Sequence, residues 1–156
     1  MKKINLFVAC LAFMGLTACS DDDGKYNVNG NANAVANNLK SGTWRITLFQ
    51  EDGNDETGNF EGYNFTFGEN GVLTATNGTN TYTGAWSVYD DDNSDDDSTD
   101  DSFDSDIDID ITFTEPLEFV DLTDDWDIAT RTGTEIKLVD VSGGDGGVDY
   151  LTFQKN

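Results

Sequence analysis

Carboxylates dominate the side chains available for catalysis, because the chain has 31 acidic residues, 8 basic residues and no histidine. Without histidine the protein lacks the commonest general base and the commonest zinc ligand. A Ser-His or Cys-His nucleophile therefore cannot be assembled, although Cys10 and Cys19 supply two thiols. No spacing among the glutamates singles out the acid and the base of a glycosidase. The composition predicts that the protein is not an enzyme.

The densest group of carboxylates is the stretch Asp90–Asp110, which contains twelve aspartates and no basic residue. Close carboxylates repel each other, and a calcium ion relieves that repulsion. The spacing does not match the EF-hand loop, whose glycine and bidentate glutamate positions are missing. Asp106, Asp108 and Asp110 share one face of a predicted strand, although about 6.6 Å of rise between neighbours is wide for one ion. They are the candidate calcium ligands, and the alternative is a solvated acidic loop over 89–105. No other cofactor is expected.

The amino terminus has the pattern of a secretory signal, in which two lysines precede an apolar run from Ile4 to Gly15. The run is shorter than the stretch of about 20 apolar residues that a membrane-spanning helix needs. The next four residues, Leu16–Cys19, read Leu-Thr-Ala-Cys and resemble the lipobox of bacterial lipoproteins. This resemblance implies that residues 1–18 are removed and that Cys19 carries acyl chains such as palmitate. No cysteine is then left for a disulfide.

The residues after Cys19 bear on location. Ser20, rather than aspartate, resembles the Gram-negative sorting signal for the outer membrane, and Asp21–Asp23 looks like a surface-export signal. Residues 19–31 have the composition of a flexible acidic tether. We expect an outer-membrane protein exposed at the cell surface and held by its N-terminal acyl chains, with a periplasm-facing position as the alternative. The negative charge argues against nucleic acid as a partner.

From Gly42 onward apolar and polar residues alternate, which is the period of half-buried strands. A helix of one or two turns over Asn33–Lys40 precedes this region. Asn-Gly pairs at 70–71 and 77–78 predict type I′ turns, and Thr132-Gly133 predicts a similar turn. The pattern predicts one all-β domain over 32–156, an antiparallel up-and-down barrel of eight strands, with a β-sandwich as the alternative. The predicted strands are Trp44–Leu48, Tyr63–Phe67, Leu73–Ala75, Tyr82–Val88, Ile107–Phe113, Trp126–Ile128, Ile136–Leu138 and Leu151–Phe153.

A second family resemblance concerns the barrel. Gly42-Thr43-Trp44 resembles the Gly-x-Trp signature of lipocalins, and Gly84-Ala85-Trp86 repeats its spacing. With Phe65–Phe67 and Leu151–Phe153, this order is similar to the lipocalin-like domains of many bacterial lipoproteins. The resemblance implies a barrel that binds a small hydrophobic or glycan ligand. The candidate ligand-binding residues are aromatic side chains on the predicted inward faces, where such rings also serve simply to fill a core: Trp44, Tyr63, Phe65, Tyr82, Trp86 and Trp126.

Two functions follow from this pattern, and a third depends on the acidic loop. The first is a lipid-anchored envelope protein that binds a small hydrophobic or glycan ligand inside its barrel. The second is a non-catalytic structural or interaction lipoprotein, and the third is calcium binding. An eight-stranded barrel is either just filled by its own side chains or holds one small ligand. The occupancy of the interior therefore separates the first function from the second.

Overall fold

The fold is known from a computed structural model, which describes residues 32–90, 107–141 and 147–156. The predicted signal, Cys19, the tether, Asp106 and most of the acidic stretch lie outside these ranges. No helix within them has the length and the apolar character that a membrane span requires.

An antiparallel barrel accounts for most of the described residues. The strands are β1 (Trp44–Glu51), β2 (Asn54–Asp55), β3 (Asn64–Phe67), β4 (Val72–Thr76), β5 (Thr81–Asp90), β6 (Ile107–Thr112), β7 (Asp124–Arg131), β8 (Glu135–Val141) and β9 (Val148–Lys155). From β3 to β9 each strand pairs with the next one along the chain, and β1 pairs with both β3 and β9. The short strand β2 pairs only with the end of β1. The predicted closed barrel of eight strands is therefore confirmed, and the sandwich alternative is not adopted.

Two helices lie at opposite ends of the barrel. Helix α1 (Ala32–Lys40) confirms the predicted N-terminal helix, and α2 (Leu117–Val120) lies between β6 and β7. We call the end where β1 begins the helix end, because α1 buries Val35 and Leu39 in the core there. There the indole Nε1 of Trp44 donates a hydrogen bond of 2.8 Å to the carbonyl of Leu39. We call the opposite end, which contains α2, the plug end.

The inward face of β1 differs from the prediction. Strict alternation predicts Trp44, Ile46 and Leu48 inside the barrel, and this is wrong for Leu48, which is only half-buried. The pairing of β1 with β9 shifts between Ile46 and Leu48, as at a β-bulge. The extra residue turns Phe49 inward, where its ring lies 5.5 Å from that of Phe60, between centroids. A change of register therefore replaces a leucine by a phenylalanine in the core.

The turns agree only partly with the prediction. Asn70 and Gly71 both have positive φ angles, of 63° and 73°, as the Asn-Gly pair predicts. The type I′ prediction is wrong at 77–78, where only Gly78 has a positive φ. The side-chain oxygen of Asn77 instead accepts hydrogen bonds from the backbone N–H groups two and three residues on. The hydroxyl of Thr132 does the same after β7, so the glycine that follows needs no positive φ.

Gly84 on β5 lies where the backbone of β6 approaches closely. A Cβ at this position would collide with the carbonyl oxygen of Thr112 and lie 2.8 Å from a ring carbon of Phe113. The missing side chain therefore permits the close packing of β5 on β6.

We expect Gly84→Ala to lower the free energy of unfolding by about 1–3 kcal/mol, because the added methyl group overpacks the barrel. Urea denaturation measures this change. Gly133→Ala is the matched control, since nothing lies within 4 Å of a Cβ there. Its effect should stay within about 0.5 kcal/mol. Equal effects of the two substitutions would contradict the close approach at Gly84.

Candidate functional site

The barrel interior is occupied by the protein's own side chains. Trp44, Phe65, Trp86 and Trp126 are buried, while Tyr63 and Tyr82 are half-buried and pack against the same core. The predicted inward direction of these six aromatic side chains is confirmed. The larger side chains that share the interior with them include Phe49, Phe60, Phe67, Phe113, Phe119, Phe153, Leu39, Leu73 and Ile109.

Phe119 fills the plug end of the interior, although it belongs to α2 and not to a strand. It is fully buried. Its ring centroid lies 4.9 Å from that of Tyr82, 5.1 Å from Tyr63, 5.2 Å from Phe113, 5.3 Å from Phe60 and 6.0 Å from Phe65. Alternation does not indicate Phe119 as a core residue, because it marks only strand residues. The available signal was an apolar cluster, Leu-Glu-Phe-Val, directly after the single proline.

Tyr63 and Tyr82 form a pair at the outer edge of this plug. Their ring centroids are 5.9 Å apart. A hydrogen bond with Tyr63 raises the pKa of Tyr82, and burial and the nearby carboxylates of Glu118 and Glu115 raise it further. Leu117, next to Glu118 on α2, leaves 78% of its surface exposed. We call these five residues the tyrosine surface, which combines two half-buried tyrosines and one exposed leucine with two glutamates.

Further carboxylates surround the plug end. Burial raises the pKa of Glu51 at the end of β1, and repulsion from Asp121 and Asp149 raises it further. Burial also raises the pKa of Asp124 at the start of β7, with repulsion from Asp140 as a further cause. These carboxylates come from four strands and from the segment between β6 and β7 that contains α2, which we call the α2 segment. They therefore meet only when the barrel closes. Together they make this end strongly negative.

Basic side chains lie towards the other end. Lys40 contacts Glu69 at 3.4 Å, and Lys137 contacts Glu135 at 3.4 Å. The ammonium of Lys155 lies 4.8 Å from the centre of the Trp44 ring, in a cation–π arrangement. Across the three described ranges, every basic side chain belongs to the half of the barrel nearer the helix end: Lys40, Arg45, Arg131, Lys137 and Lys155. None of these five basic residues lies at the plug end of the strands.

Aspartates also face each other on the outer surface of β6 and β7. Asp108 is opposite Asp127, and Asp110 is opposite Asp125. The hydroxyl of Tyr89 on β5 donates a hydrogen bond to Asp125, which raises the pKa of Tyr89. Burial raises the pKa of Asp127, while a hydrogen bond with Asp108 opposes that shift. Like charges directly opposite on neighbouring strands destabilise a sheet.

The structure leaves the calcium prediction open. Asp108 and Asp110 face the aspartates of β7, and Asp106 lies outside the described residues. Within the described ranges, no three acidic, histidine or cysteine side chains are placed to hold a metal ion. Calcium binding stays a prediction that depends on the rest of the acidic stretch.

A cleft of about 280 Å³ lies at the helix end, between α1, the β3–β4 turn and β5. Lys40 and Glu69 contribute to its wall, and Trp86 lies in its floor with Nε1 donating to the carbonyl of Gly68 at 3.1 Å. The volume is just below the roughly 300–1,000 Å³ of typical ligand pockets. Of the six candidate ligand-binding residues, only Trp86 lines this cleft.

No protein-family model matches the chain, and no curated protein matches it. A crystal structure of a DUF4847 family protein from Bacteroides vulgatus is similar over 78% of this chain and 97% of that chain. The two sequences are 18% identical, and the TM-score is 0.46. A likeness at this level carries no argument about function.

The raised carboxyl pKa values predict that the protein is more stable in mild acid. A carboxyl group whose pKa is higher in the folded state stabilises the fold below its unfolded pKa, and this contribution is lost as the pH rises through the folded pKa. The raised pKa values of Glu51, Asp124 and Asp127 make the fold more stable in acid. Hydrogen bonds from Thr57 lower the pKa of Asp55, so this residue contributes in the opposite direction. We expect the Tm to rise as the pH falls from neutral towards the ordinary carboxyl pKa.

Asp127→Asn should raise the Tm at neutral pH and flatten this pH dependence, because the amide can donate to Asp108 without a charge. Glu61→Gln, at an exposed turn position, is the control that removes one carboxylate elsewhere. Thermal melting from neutral pH into the acid range measures both the Tm and its pH dependence. A Tm that falls steadily from neutral pH downwards would contradict the repulsion between β6 and β7.

Proposed function

We propose that the protein is a lipid-anchored envelope lipoprotein whose lipocalin-like barrel is a non-catalytic interaction module. In this proposal the barrel does not carry a ligand in its interior. One observation supports this choice over the ligand-binding alternative: the rings of the core and Phe119 fill the space that a ligand would need. Partners then bind to the outer surface.

The packing of Phe119 argues against ligand entry through the plug end. Its ring touches five other aromatic rings, so a ligand entering there would have to displace it and expose it to water. Exposing a buried phenylalanine side chain costs about 1.5–3 kcal/mol. At the helix end, α1 and the Trp44–Leu39 hydrogen bond block the same path.

The sequence supports the remaining parts of the proposal. The lipobox resemblance supports an acyl anchor on Cys19, and Ser20 with Asp21–Asp23 supports the outer membrane and surface exposure. The absence of histidine supports a function without catalysis. A filled barrel on a tether of 19–31 would hold an interaction surface at a distance from the membrane.

The anchor is tested by Cys19→Ala in the full chain, followed by fractionation of the expressing cells. We expect the wild type in the membrane fraction and the variant in the soluble fraction, because the thiol that carries the acyl chains is gone. Cys10→Ala is the matched control, since Cys10 lies within the predicted signal. Retention of the Cys19→Ala variant in the membrane would contradict the anchor.

The filled interior is tested with a neutral hydrophobic fluorophore, such as N-phenyl-1-naphthylamine. We expect no saturable binding to the wild type, and Phe119→Ala should cost about 3–5 kcal/mol of stability because it opens a cavity in the core. Phe119→Leu is a milder variant, which should remain folded and lose less stability.

Leu117→Ala is the matched control for Phe119, because it truncates an exposed residue of the same helix. Its stability should change by less than about 0.5 kcal/mol. One-to-one binding of the fluorophore to the wild type would overturn the filled interior, as would equal costs for the two truncations.

A further inference from the structure

We propose that the tyrosine surface at the plug end binds a protein segment in which arginine or lysine side chains alternate with apolar ones. This inference rests on the proposed interaction function and names the chemistry of the partner. Tyr63, Tyr82 and Leu117 would provide the apolar contacts, and Glu115 and Glu118 would provide the acidic ones.

The exposed centre has the composition of a binding surface. Leu117 is 78% exposed, whereas Phe119 two residues later is fully buried. Aromatic residues are enriched in the cores of protein interfaces, with polar residues at the rim. The two tyrosine rings are supported from behind by Phe119, at 5.1 Å and 4.9 Å between centroids. A partner would therefore meet two tyrosine rings that pack against the core.

The charge of the plug end selects a cationic partner. Glu115 and Glu118 lie close enough to Tyr82 to affect its pKa, and Glu51 and Asp124 repel other carboxylates at the same end. The described basic residues all lie towards the opposite end. An arginine or lysine would relieve this repulsion and could also lie over a tyrosine ring, where cation–π attraction adds to the ion pair.

Other occupants fit less well. Anionic lipid and nucleic acid would be repelled. A second copy in a two-fold contact would place the same acidic surface against itself. A neutral glycan would leave the repulsion between the carboxylates unrelieved. Within the described residues, no set of three ligands is placed for a metal ion.

The position of this surface fits a role in binding outside the membrane. Helix α1 begins at Ala32, directly after the predicted tether, and packs at the helix end. The anchored chain therefore enters the barrel at the end opposite the tyrosine surface. Attachment at the helix end would leave Tyr63, Tyr82 and Leu117 accessible to a partner outside the membrane.

The test measures the binding of a labelled peptide of alternating arginine and leucine to the full chain, at an ionic strength of about 0.15 M. The test variant is Leu117→Ala with Glu118→Gln. The matched control is Val72→Ala with Glu69→Gln, because Val72 is 42% exposed and both residues lie at the helix end. Each variant loses one exposed apolar side chain and one carboxylate, so the net charges stay equal.

We expect the test variant to raise the Kd about tenfold and the control to change it less than about twofold, as when binding depends on a few anchor residues. Thermal melting of both variants confirms that they are folded. An arginine–glycine peptide should bind more weakly than the arginine–leucine peptide, because it lacks the apolar side chains.

Three results would overturn the inference. The first is an equal effect of the two variants, which would assign binding to net charge or to the Asp-rich stretch. The second is equal binding of the arginine–glycine peptide. The third is saturable binding of a neutral oligosaccharide at the tyrosine surface with no binding of the peptide. None of these depends on fluorophore binding in the interior, so this inference and the filled-barrel proposal fail separately.

Discussion

Aromatic filling of a closed barrel is the constraint on which the rest of this structure depends. A barrel of eight strands leaves an interior that side chains can just occupy. The strands supply most of the rings, but Phe49, Phe60 and Phe119 come from departures from regular strand geometry, and Phe60 lies in a helical turn between β2 and β3. The bulge in β1 turns Phe49 inward, and the connection between β6 and β7 supplies Phe119. Dense packing in the barrel thus depends on a bulge and a loop as much as on the alternation of its strands.

In the proposed function, aromatic packing of the interior leaves binding to the outer surface. Five of the six rings that the lipocalin resemblance assigns to ligand binding contact other aromatic rings, and the half-buried Tyr63 and Tyr82 mark where the core reaches solvent. The α2 segment joins the two regions, since Phe119 belongs to the core while Leu117 and Glu118 face outward. The element that plugs the barrel is therefore also the element that forms the proposed binding surface.

The charge distribution opposes the stability of the fold. Aspartates face each other across β6 and β7, and carboxylates from several strands meet at the plug end. The hydroxyl groups of Ser87 and Tyr89 donate hydrogen bonds to Asp110 and Asp125, which partly satisfies two of these carboxylates. Neutral residues at these positions would make the fold more stable. In the proposed function, the negative surface binds a cationic partner, which accounts for this cost in stability.

The sequence by itself determined the barrel, its short N-terminal helix and the inward direction of residues such as Trp44 and Phe65. Alternation is a local property, and one buried face forces a period of two on each strand. Only the tertiary structure decided that Phe49 replaces Leu48 in the core, because the register shift arises from pairing with a strand about a hundred residues away. It also decided that Phe119 packs into the interior and that the carboxylates meet at one end. The path of the α2 segment and the closure of β1 on β9 bring these groups together. No local pattern in the sequence predicts that path or that closure.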